Sequence, residues 1–177
     1  MTPDPPLGGR AYLRLILLGA AIGIPAAVVA ALFLALVHDL EHWLWDDLTS
    51  HLGYSSPPWY LVIGLPVVGA CIVVVARLLL PGDGGHSPLQ GIGGGVTPLA
   101  HAPGIALAAI GTLAFGAVLG PEAPLIALGS IVGVAVTLVV RLDERERAVL
   151  ATAGSFSAIS ALFGGPLVGD AISGFSR

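Results

Sequence analysis

Between Leu15 and Val37 the chain passes about 23 residues without a charged side chain, and that run decides what it can fold into. At 1.5 Å rise per residue a helix of this length is roughly 34 Å long, close to the hydrocarbon thickness of a bilayer. Arg10 and Arg14 precede the run as they would in a secretory leader, but it is too long for a leader's apolar core. The remaining composition agrees: 55% hydrophobic, 10% charged, mean hydropathy +0.93. The expected class is an all-α, polytopic integral membrane protein with broken and re-entrant helices. A scattered net charge of -4 with no lysine excludes a nucleic-acid footprint, so no nucleic-acid partner is expected. Cys71, the single cysteine, lies in an apolar stretch; it excludes an internal disulfide and reads as a small buried hydrophobe.

Residues 1–10 are expected to form a disordered cytoplasmic tail, and 11–177 one partial transmembrane domain. The first span runs on into "HDLEHWLWDDL", an acidic, tryptophan-rich helix end suited to the headgroup layer. "GYSSPP" (Gly53 to Pro58) is a turn, and a second span runs from Trp59 to Ala76, stopping at Arg77. Arginines near the start of span one, at the end of span two and in "RLDERER" place those ends in the cytoplasm. The expected location is therefore the bacterial plasma membrane with a cytoplasmic N-terminus. Residues 81–103 are rich in glycine and proline, a re-entrant candidate. Two short apolar pieces, 104–119 and 125–140, flank Gly120-Pro-Glu-Ala-Pro124 and read as one discontinuous hairpin at membrane depth. A last helix is expected over Ala148 to Phe163. The small residues of these later segments predict protein-facing rather than lipid-facing helices, and no internal repeat is visible.

Glu122 is the residue that most needs explaining. A carboxylate at the centre of a membrane helix costs about 2.5 to 3.5 kcal/mol on insertion scales. Gly120 is expected to end one half-helix, Pro121 cannot continue it, and Pro124 is tolerated in the first turn of the next. Glu122 then stands at a helix N-terminus, where unpaired N–H groups and roughly half an elementary charge of dipole attract an anion. Ionised, its side chain fills that seat; protonated, it yields the seat to a dissolved anion. Gly84, Gly85, His86, Ser87 and Pro88 have similar physics, because glycines admit an ion to the backbone and a helix starting near Pro88 aims a second N-terminus inward. The bland readings are a helix cap for Glu122, a plain re-entrant turn for 84–88 and an interface histidine for His86. "GIGGG" (Gly91 to Gly95) follows no strand and lacks the lysine of a phosphate loop, which disfavours nucleotide binding.

Over about Leu15 to Gly169 the chain resembles the first half of the CLC family of chloride channels and proton-coupled chloride transporters. In that family a Gly-Ser-Gly-Ile-Pro segment and a Gly-Lys/Arg-Glu-Gly-Pro segment supply helix N-termini to the chloride path, and the glutamate of the second is the gate. Gly84 to Pro88 is similar to the first as GGHSP, Gly120 to Pro124 to the second as GPEAP, and Phe163 to Pro166 to the family's Phe-Asn-Ala-Pro. The resemblance implies chloride as the permeant ion, Glu122 as gate, and Gly84, Gly85, His86, Ser87, Pro88, Gly120, Pro121, Ala123 and Pro124 as anion-binding positions. It implies no cofactor and no metal. Membrane lipid, a missing second half of the domain and a homodimer are the implied partners.

There are departures from the family pattern. Gly85 stands where the family has its filter serine, Pro121 replaces the basic residue before the gate, and Ala123 the glycine after it. The second glutamate of proton-coupled members falls here on Phe175 or Ser176, with Asp170 out of register, so uncoupled conduction is favoured over antiport. The family's second half supplies a Gly-x-Phe-x-Pro segment and a tyrosine that do not occur here, so the chain reads as an N-terminal fragment or truncated product. The alternatives are a non-conducting membrane fragment and a zinc-dependent membrane hydrolase. The latter would use His38 and His42 as ligands four apart on one helix face and Glu41 as general base. Ser155 or Ser157 as a protease nucleophile lacks a following histidine.

Overall fold

The computed structural model describes residues 9–82, 96–139 and 144–162, and among them every regular element is helical. The expectations for residues 83–95, including Gly84 to Pro88, and for Phe163 to Pro166 lie outside the described residues. So does nearly all of the expected N-terminal tail.

The uncharged run does form a helix, and a longer one than its apolar part. Helix α1 (Gly9–His42) passes through a π-helical turn (Trp43–Asp47) into α2 (Leu48–His51), an axis of about 64 Å. That exceeds a bilayer with its headgroups, so one end projects. Pro25 sits inside α1 without ending it. After the turn at Gly53, whose φ of 82° suits glycine, α3 (Trp59–Leu79) begins at the expected residue and runs three residues past Ala76. These two helices, Ile16–His51 and Trp59–Leu79, are long and apolar enough to cross a membrane. Their outer faces expose Leu17, Ile24, Leu32, Ile63, Val67 and Val74, a surface matched to hydrocarbon. Cys71 is exposed on α3 rather than buried, because α3 packs inward through Leu65, Gly69 and Ala76 instead.

The remaining helices are α4 (Ala102–Leu113), α5 (Glu122–Val139) and α6 (Glu144–Leu162). Helix α6 starts four residues earlier than expected, because the charged "ERER" stretch joins its first turn. Glycine pairs set the packing. A Cβ on Gly69 or Gly111 would meet the carbonyl oxygen of the other, as would one on Gly129 or Gly154, and one on Gly133 would meet the Leu150 carbonyl. Backbone therefore lies directly on backbone between α3 and α4 and between α5 and α6, as small-residue faces allow. Gly19 and Gly23 of α1 face Ala153 and Ser157 of α6. These registers make α1, α4 and α6 run one way and α3 and α5 the other. Small residues do face protein, as the composition of these segments suggested.

The core follows. Ala30, Phe33 and Val37 of α1 meet Ala109, Leu125, Leu128, Ala158 and Ala161, while Ile105 packs on Ala127 and Ile131. Polar groups inside it are paired: the buried Ser155 hydroxyl donates to the Ile126 carbonyl at 2.9 Å or the Ala151 carbonyl at 3.1 Å. At one end of the bundle the α1 and α6 N-termini meet, with Arg14 3.8 Å from Glu146, and Arg77 ends α3 on the same side.

Gly129→Ala is expected to lower stability by about 1–3 kcal/mol, because the added methyl group must displace the α6 backbone. Gly64→Ala, with nothing within 4 Å of its added Cβ, should not lower stability and should raise it by up to about 1 kcal/mol, the helix-interior difference between glycine and alanine. Thermal unfolding of the detergent-solubilised protein separates the two.

Candidate functional site

Helices α4 and α5 form an antiparallel hairpin, and the connection between them is where Glu122 stands. The first half-helix ends earlier than the sequence suggested. Gly116, at φ 92°, terminates it: the Ala117 N–H donates to the Thr112 carbonyl at 3.0 Å and the Gly116 N–H to the Leu113 carbonyl at 3.5 Å. This is the paired six-to-one and five-to-two closure that a left-handed glycine permits. The carbonyl of Ala114 falls between these bonds, and the Trp45 indole Nε1 donates to it at 3.1 Å. The Trp45 ring also occupies the space a Gly116 side chain would need. Gly120 therefore does not end the half-helix. Two glycines four residues apart each carried a plausible stop signal, and backbone conformation selects the first.

Gly120 has a different task. The carboxylate of Glu122 folds back over it, and a Cβ on Gly120 would overlap the Glu122 Cδ, Oε1 and Oε2 atoms. Pro121 is the residue whose carbonyl accepts the first intrahelical bond, from the Leu125 N–H at 3.0 Å. Glu122, Ala123 and Pro124 are thus the first three helical positions, as their spacing suggested. Pro124 has no N–H, so the amides of Glu122 and Ala123 are the two donors at this end without a partner in the preceding turn. Glu122 is exposed, Ala123 half-buried and Pro124 buried.

Beside this helix start lies a groove of about 400 Å³ lined by Leu34, Val37, His38, Glu41, Leu113, Ala117, Leu119 and Pro121. The break is therefore level with the end of the uncharged run of α1 rather than its middle, and two ionisable side chains of α1 form its lip. The other glycine-rich segment, Gly84, Gly85, His86, Ser87 and Pro88, is not among the described residues, and neither is its distance from Glu122. Where the chain becomes described again, the buried Thr97 N–H donates to the Ser130 hydroxyl at 3.1 Å. Ser130 is only 1% exposed and lies two turns along α5 from Glu122, so the chain nine residues beyond Pro88 is fixed to the flank of that same helix.

Among the described residues neither hydrolase arrangement is assembled. His42 lies 3.8 Å from each of Asp46 and Asp47, all on one helix. Among the described residues no three His, Cys, Asp or Glu side chains are grouped to hold a metal ion. Ser157 donates to the Ala153 carbonyl at 2.8 Å, and Ser155 is bonded to backbone as described above. Trp45, Gly116 and Ser130 are the residues the sequence did not mark. Gly116 carried the same local stop signal as Gly120, and Trp45 and Ser130 carried none.

The family described as "Voltage gated chloride channel" matches residues 86–172. Over that segment, just under half of its length, the chain is similar to that family. Similar proteins include two from Escherichia coli O6:H1 and O1:K1, each named "Putative ion-transport protein YfeO". Both are 32% identical to this chain over 162 residues, covering 89% of it and 38% of the relative. The chain thus spans little more than a third of the length of these relatives. No solved structure matches it.

Gly116→Ala is expected to cost about 1–2 kcal/mol from the left-handed backbone alone, and more from the Trp45 contact. Gly120→Ala should leave stability unchanged within about 0.5 kcal/mol, since it displaces only the end of a flexible side chain. Thermal unfolding of the two variants checks which glycine ends α4.

Proposed function

We propose that this chain contributes one half of an anion pathway in which Glu122 is a gate, within a protein that conducts chloride passively across the bacterial plasma membrane. The observation that carries the reading is the start of α5. A carboxylate there folds over Gly120, the first two amides of the helix have no partner in a preceding turn, and Pro121 between Gly120 and the helix lines a groove. An ionised Glu122 competes with a halide for those amides and for the positive end of the α5 dipole. Protonation removes its charge and with it the competition. Pro121 and Pro124 fix where the helix begins, so the donors are held in place before an anion arrives.

The second helix terminus in this reading comes from Gly84, Gly85, His86, Ser87 and Pro88, with backbone N–H groups as donors and Ser87 or His86 in place of the missing filter hydroxyl. Gathering of arginines at the opposite end of the bundle supports a cytoplasmic N-terminus by the positive-inside rule, which puts the Glu122 groove on the far side of the membrane. The lack of an acidic residue at Phe175 or Ser176 favours uncoupled conduction over proton exchange. A second half-domain completes the pathway and a homodimer is the working assembly.

In liposomes carrying the complete protein, chloride efflux should rise as pH falls, and Glu122→Gln should abolish that dependence while preserving permeation. Gly120→Ala should raise efflux at neutral pH toward its acid value by evicting the carboxylate. Unchanged acid dependence in Glu122→Gln would overturn the gate.

A further inference from the structure

The long first helix widens by one residue at the π-helical turn Trp43–Asp47, a departure from regular bonding that recurs at functional sites. Trp45 stands in that turn. Its indole Nε1 reaches the Ala114 carbonyl at 3.1 Å, 69 residues along the chain, and its ring fills the space above Gly116. The turn is itself braced, because the buried Thr49 hydroxyl donates to the Trp45 carbonyl at 2.7 Å. Leu44, Leu65 and Ala114 pack beside it with Leu40 and Phe115. In a regular α-turn one residue fewer per widened turn would rotate the indole by roughly 100° and carry it off Ala114.

Only four residues, Ala117 to Gly120, join this anchored point to Pro121. We propose that Trp45 is a positioning residue for Glu122: by clamping Ala114 and Gly116 it fixes where α5 begins and how closely the carboxylate lies against the α5 amides. The proposal rests on the reading of Glu122 as the gate. The titratable groups sharing the groove with Pro121 are His38 and Glu41 of α1. Helix α4 has none, α5 has none besides Glu122, and the described last turn of α6 has none.

The test is chloride efflux against pH in liposomes carrying the complete protein. Releasing the clamp loosens the placement of the Glu122 carboxylate against the start of α5. Trp45→Phe should therefore move the midpoint of acid activation upward by about half a pH unit, the size of a partly lost helix-terminus interaction. Flux at the acid limit should be unchanged. Thr49→Val should shift the midpoint the same way by less, and it carries the prediction if Trp45→Phe does not fold. The double variant Trp45→Phe/Glu122→Gln should show no pH dependence. An unshifted midpoint in folded Trp45→Phe and Thr49→Val, or an equal loss of flux at every pH, overturns the positioning role alone. A Glu122→Gln protein that keeps its acid dependence overturns the gate and this proposal together.

Discussion

Helices in hydrocarbon gain nothing from burying apolar surface against each other, so their association rests on close packing and on hydrogen bonds across the contact. In this protein the closest packing is backbone on backbone. Gly69 with Gly111, Gly129 with Gly154, and Gly133 with the Leu150 carbonyl leave no room for a side chain. These contacts fix the registers of α3 on α4 and of α5 on α6, and through them the level at which each helix begins and ends. The height of Glu122 relative to α1 is a consequence of those registers.

The α4–α5 connection turns that placement into a site. Gly116 closes α4, Trp45 takes the carbonyl left between the closing bonds, and Pro121 opens α5 after four residues. Pro121 then lines a groove together with His38 and Glu41 of α1, and the Glu122 carboxylate lies over the neighbouring Gly120. The anchoring on the other flank is equally local, through the single bond from the Thr97 amide to the Ser130 hydroxyl.

Much of this was legible in the residues, for identifiable reasons. The uncharged run from Leu15 to Val37 and the start of α3 at Trp59 follow from hydropathy and from Pro58, which act locally. The placement of Glu122 in the first turn of α5 follows from Pro121 and Pro124, whose constraints are covalent. The end of α4 was not legible, since Gly116 and Gly120 offer the same local signal and the choice depends on a tryptophan 69 residues away. Cys71 misled for a related reason: an apolar stretch in a membrane helix does not say which face meets protein. The role of Ser130 is invisible in a string, because its partner is a single backbone amide 33 residues earlier.

The sandwiched position of α6 bears on how the chain assembles. It is the last described helix to leave the ribosome and is not among the helices apolar enough to cross a membrane by composition, yet it lies against both α1 and α5. Its Ser155 and Ser157 can bond to carbonyls of α6 itself, but Gly154 meets its backbone partner, and Ser155 the Ile126 carbonyl, only once α5 lies alongside. Burial of α6, the least apolar of the long helices, therefore depends on α1 and α5 flanking it rather than on its own hydropathy.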